Sequence, residues 1–187
     1  MIGRRRRTAD TGTAPKVIDS SEETYLQGLP VDDPRLALAL EQVQRGLTQQ
    51  QGSLDNLRAR AGTLVAASSL VSSFFGSSVL REPLSGLAVQ GMVILAFAAL
   101  GAVIVSAVVI IWPYEWKWGI DGYSLLGDYV VGDRPSSLNA MRYSLTFYVQ
   151  QDLLENEKQL NQLWKALQFS VVAIALQIAF WSVALVL

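Results

Sequence analysis

Histidine and cysteine, the side chains that most often serve as general base and thiolate nucleophile near neutral pH, are both absent from the 187 residues. Any chemistry must therefore rest on carboxylates, hydroxyls and amides. Carboxylates come closest to aromatic rings in the stretch 112–131, where Glu115, Asp121 and Asp128, with Asp133 just beyond, accompany three tryptophans and three tyrosines. That composition fits an interfacial aromatic belt, with an aromatic ligand cage as the alternative. The chain contains no P-loop, GxGxxG, GxSxG or HExxH pattern. Its apolar stretches hold neither a serine beside a basic partner nor paired aspartates, as an intramembrane protease would require. The expectation is a non-enzyme with no catalytic residue, no cofactor and no metal site, since zinc fingers and iron-sulfur clusters also need the missing ligands.

A second polar pattern lies inside apolar sequence. Ser68, Ser69, Ser72, Ser73, Gly76 and Ser77 recur at helical spacing, with Leu70, Val71, Phe74 and Phe75 turned elsewhere. Gln177 falls in the middle of another apolar run, and Gln90 lies near one end of a third. An amide in hydrocarbon seeks a partner on a neighbouring helix, and small residues at i and i+4 allow close backbone approach. The serine face either packs against Ala98, Ala102 and Ser106, which share its spacing, or lines a water-filled pore in an oligomer. Ser69, Ser73, Ser77, Gln90 and Gln177 are thus the candidate pore or helix-packing residues.

These residues are carried by three uncharged stretches of 20, 32 and 22 residues: 61–80, 83–114 and 166–187. About 20 apolar residues, each rising ~1.5 Å, cross the hydrocarbon of a bilayer. Three transmembrane helices are predicted, at 61–80, 84–112 and 166–187. The first is the most polar, and it enters with the second as a hairpin whose turn suits Pro83 and Gly86. No span holds a charged residue, which disfavours proton relays, voltage sensors and ion-coupled transport. The spans also lack the repeat symmetry common in transporters.

Cation placement sets the expected orientation. With the N-terminus cytoplasmic, fourteen of the fifteen Lys and Arg residues lie inside and only Arg81 outside, leaving the C-terminus outside. Arg58, Arg60, Lys165, Trp112, Trp116 and Trp118 are the expected membrane-interface anchors, the last three opening the connector 113–136 or immediately preceding it. Within that connector Asp121 can cap a short interfacial helix. The location is an inner (plasma) membrane, with lipids as partners. A net charge of −1 gives no reason to expect nucleic acid.

The aqueous segments add helices. Residues 1–33, with Arg4–Arg7 followed by polar sequence, read as a disordered basic tail rather than a signal peptide. Asp33 and Pro34 then offer an N-cap and first-turn proline. From there Leu36, Leu40, Val43, Leu47, Gln50, Leu54, Leu57, Ala61 and Leu64 repeat at threes and fours, so the helix 34–60 runs on into the first span. Leu138, Met141, Leu145, Val149, Leu153, Asn156, Leu160, Leu163 and Leu167 do the same for 137–165 and the third span. The fold class is an all-α membrane protein in which these two helices extend as a parallel cytoplasmic stalk. They pair within one chain or between neighbouring copies.

The runs Leu54–Ala67, Ser73–Gly76 and Asn156–Leu167 resemble small actinobacterial integral membrane proteins and the SLATT and Pycsar transmembrane effectors of anti-phage systems. The resemblance spans roughly residues 35–187 and implies a cytoplasmic helical region that responds to a nucleotide signal by disrupting the inner membrane. The expectation for this chain is a homo-oligomer whose stalk couples a cytoplasmic ligand or protein partner to the membrane helices, with pore formation as its activity. The chain departs from those families in having no recognisable nucleotide-binding element, so no binding residue carries over. A membrane-anchored helical scaffold without conductance is the competing reading.

Overall fold

In the computed structural model, residues 20–81, 86–117 and 137–187 are described. Among them the secondary structure is entirely helical: α1 (Ser20–Gln27), α2 (Pro34–Val79), α3 (Leu87–Ile111) and α4 (Leu138–Val186). At ~1.5 Å per residue α2 and α4 are each roughly 70 Å long. Three of the four, α2, α3 and α4, carry stretches long and apolar enough to cross a membrane. The exposed Leu70, Phe74, Ile94 and Phe169 would be an aggregation liability in water but are ordinary where lipid tails are the solvent. Among its described residues the protein is all-helical, with three helices long and apolar enough to place it in a membrane.

The expectation of a disordered tail through residue 33 is corrected for residues 20–33. Ser20–Gln27 is helical, Leu26 is buried at 4% exposure, and the following loop is tied down by hydrogen bonds. Local sequence gives this short, mostly polar helix little support of its own. Its order comes from burying Leu26 and from polar contacts to a distant part of the chain. Residues 1–19, including Arg4–Arg7, lie outside the described residues, as do Pro83, Trp118 and Asp121.

The chain divides into two compact units, both built on α2 and α4. The first holds α1, the start of α2 and the start of α4. Asp33 caps α2, accepting the Arg35 backbone N–H at 2.8 Å with Oδ1, and Pro34 fills the first helical position, where an N–H is not needed. The buried Asn139 braces this corner: its Oδ1 accepts the Asp33 N–H at 3.3 Å, and its Nδ2 donates to Pro30 O at 2.7 Å. Ser137 caps α4, its Oγ accepting the Ala140 N–H at 3.2 Å. Further along, a methyl built on Gly46 would come within 3.1 Å of Leu153 Cδ1, so the two helices approach closely there. Asp33 and Asn139 are 106 residues apart, and Gly46 and Leu153 almost the same. Such a constant offset means parallel helices.

In the second unit the offset persists, with Ser68 and Ser72 meeting Gln177 at 109 and 105 residues. The buried faces keep the spacing of threes and fours: Leu54, Leu57, Ala61, Ser68, Ser72, Gly76 and Val79 on α2, and Asn156, Leu160, Leu163, Leu167, Ser170, Gln177, Trp181 and Ala184 on α4. The rows that the sequence places in the aqueous helices therefore continue through the spans. α3 runs the other way, packing Val93 and Ala96 of its first half with Val79, Trp181 and Ala184 at the far ends of α2 and α4. It opens at Gly86, whose φ of +119° is readily reached only without a Cβ.

Candidate functional site

Within the spans, the most specific arrangement is a buried amide and hydroxyl clasp between α2 and α4. Gln177 is fully buried, and its Nε2 donates to Ser72 Oγ at 2.6 Å and to the Ser68 carbonyl at 2.9 Å. Ser68 Oγ in turn donates to Gln177 Oε1. One amide thus satisfies both serines, which sit one turn apart on the same face. One turn further on, Gly76 leaves room for the Trp181 ring, which a methyl there would meet at 3.5 Å. Trp181 is itself fully buried, packs edge-on to Phe97 of α3 at 5.4 Å, and its Nε1 has no hydrogen-bond partner among the described residues. The clasp can hold two helices in one register and rotation. Its polar groups are one amide, two hydroxyls and one backbone carbonyl.

The serine-rich face expected from sequence is split in two by this packing. Ser68, Ser72 and Gly76 are buried against α4, where the sequence pointed to Ala98, Ala102 and Ser106 of α3. Ala98 is exposed, and Ser106 donates its hydroxyl to Ala102 O at 2.9 Å. Ser69, Ser73 and Ser77, about 100° around the helix from the clasp, are exposed. Two of these hydroxyls turn back on their own backbone, Ser69 to Val65 O and Ser77 to Phe74 O, each at 2.8 Å. Gln90 is exposed in the first turn of α3 and is not a partner of Gln177.

Of the expected interface anchors, Arg60 is exposed, donates from Nε to Asn56 Oδ1 at 2.8 Å, and places its guanidinium 5.8 Å from the centre of the Trp164 ring. Arg58 and Trp116 are half-buried, Lys165 and Trp112 are exposed, and Trp118 is not among the described residues.

The first unit contains a cleft of about 510 Å³ that sequence reasoning missed, because it is built partly by α1. Glu22, Tyr25, Leu29, Asp33, Arg35 and Tyr143 are among its walls. Tyr143 donates to Glu22 Oε1 at 3.3 Å, and Arg142 pairs with Asp32 beside it. Arg35 clamps Asp33 through Nε at 3.0 Å and Nη2 at 2.6 Å. These side-chain bonds, then the Arg35 backbone N–H, hold the Asp33 carboxyl below its ordinary value against the opposing effect of burial. The same pairing raises Arg35. Among the described residues no three carboxylates group as metal ligands would.

Compared with known protein families, curated proteins and solved structures, the chain matches none of them.

Proposed function

We propose that the chain is a non-enzymatic inner-membrane protein that forms homo-oligomers and acts as a signal-responsive pore-forming or membrane-disrupting effector of bacterial defence. In this reading the N-terminus is cytoplasmic and the C-terminus outside. The helices 34–60 and 137–165 form a parallel cytoplasmic stalk that receives a ligand or protein partner, and the same two helices carry the change into the spans. The observation that supports the activity is the exposure of Ser69, Ser73 and Ser77 on an otherwise apolar stretch of α2. Hydrocarbon gives a hydroxyl no reward, whereas a second copy of the chain or a water column does. Three spans are too few to enclose a pore, so the activity requires several copies.

Replacing both Ser69 and Ser73 by leucine, with liposome conductance and growth arrest on expression as readouts, tests the assignment. Loss of both activities at unchanged helicity is expected. Retained conductance would remove these serines from the pore. A scaffold that holds partners at the membrane without conductance is the second reading, favoured by the Ser69 and Ser77 hydroxyls being bonded to their own backbone. A variant lacking residues 1–19, which leaves α1 and the Asp33 cap in place, separates the two: loss of a co-purifying partner with no conductance in the full chain marks the scaffold.

A further inference from the structure

In the second unit, where α3 ends beside α4, a cavity of about 260 Å³ is lined by Val109, Tyr114, Gln159, Gln162 and Leu163. Its level is fixed by the sequence on either side. The apolar run of α3 stops at Ile111 and is followed by Trp112, Tyr114 and Trp116, and the uncharged run of α4 begins at Ala166. The cavity therefore lies at the boundary between hydrocarbon and headgroups, where such aromatic residues concentrate.

Its walls match what a lipid presents at that depth. Val109 and Leu163 are apolar, while Tyr114, Gln159 and Gln162 offer hydroxyl and amide groups. Tyr114 and Gln162 are exposed, so their hydroxyl and amide can be reached by a polar group from outside the chain. Lys158 and Lys165 sit four residues before and three after Gln162, which puts all three on one face of α4. Both lysines are exposed, and neither has an ion-pair partner among the described residues.

We propose that this cavity binds the headgroup of an anionic, hydroxyl-bearing phospholipid. The phosphate lies by Lys158 and Lys165, a headgroup hydroxyl donates to Gln162 Oε1, and the first acyl carbons lie against Val109 and Leu163. The site does not depend on whether the chain conducts.

Phosphatidylglycerol is the probe. The full chain is reconstituted with equal phosphatidylglycerol and phosphatidylcholine, transferred to mild detergent, and weighed by native mass spectrometry to count retained lipid. Retention of about one phosphatidylglycerol per chain, in preference to phosphatidylcholine, is expected. Lys158→Ala with Lys165→Ala should reduce it about tenfold. Gln162→Leu, which leaves the charge unchanged, should also reduce it, and this variant separates a built site from general attraction to basic residues. Helicity and native protein mass serve as the folding controls. Equal retention of the two lipids, or unchanged retention in Gln162→Leu, would overturn the proposal. So would displacement of the lipid by millimolar inorganic phosphate, which would make the site one for a free anion.

Discussion

Replacing Gln177 by leucine removes the clasp while nearly preserving volume, and its cost can be worked from the geometry. Three hydrogen bonds are lost: Nε2 to Ser72 Oγ, Nε2 to the Ser68 carbonyl, and Ser68 Oγ to Oε1. Between membrane helices such bonds average ~0.6 kcal/mol each, so about 2 kcal/mol is at stake. Ser68 and Ser72 would not remain unsatisfied, because each hydroxyl can turn to a carbonyl one turn back, as Ser69 does with Val65. The penalty therefore stays near the sum of the bonds rather than rising with orphaned groups. The assay is reversible unfolding of the reconstituted chain by denaturing detergent or steric trapping, with the buried Trp181 as a fluorescence reporter. A cycle combining Gln177→Leu with Ser72→Ala should show coupling of roughly 0.5 to 1 kcal/mol. A Gln177→Leu chain within about 0.5 kcal/mol of the wild type, or additive effects in the cycle, would refute the reasoning.

Other expectations follow from the same geometry. Gly52 has nothing within 4 Å of a prospective Cβ, so Gly52→Ala should raise stability in the same unfolding assay by up to ~1 kcal/mol through helix propensity alone. Gly46→Ala should gain less or lose, because its methyl presses on Leu153 at 3.1 Å. Because Asp33 is held below its ordinary value in the folded chain, its contribution to the corner of α1 and α2 is complete above the unfolded carboxylate range. That contribution disappears as pH falls through the lower folded value. Hydrogen-exchange protection factors in residues 20–36, referred to the intrinsic rate at each pH, should thus fall on acidification below about pH 4, and this acid response should weaken in Asp33→Asn. Arg60→Ala should blue-shift or dequench Trp164 emission by removing the guanidinium above the ring, with little change in global stability.

The seams were plain in the sequence because a helix buried along one face must repeat its small and apolar residues at threes and fours. Leu54, Leu57 and Ala61 of α2, and Leu160, Leu163 and Leu167 of α4, occupy those rows and are buried. That Gln177 would seek a partner was also legible, since an amide in apolar surroundings has few alternatives. Its partners were not. Ser68 and Ser69 are adjacent and chemically identical, and only the position of α4 decides which turns inward. The Asp33, Asn139 and Pro30 contacts, linking positions more than 100 residues apart, have no local signature. Helix α1 was hidden for the same reason: its sequence is mostly polar, and its order depends on what Leu26 and Glu22 reach in three dimensions.

The central claim is that several copies of this three-span chain act together in the membrane, and the native mass of the protein in lipid nanodiscs tests it most directly. A defined assembly of four or more chains is the predicted result, with conductance as the next assay. A clean monomer at all protein concentrations would contradict the account.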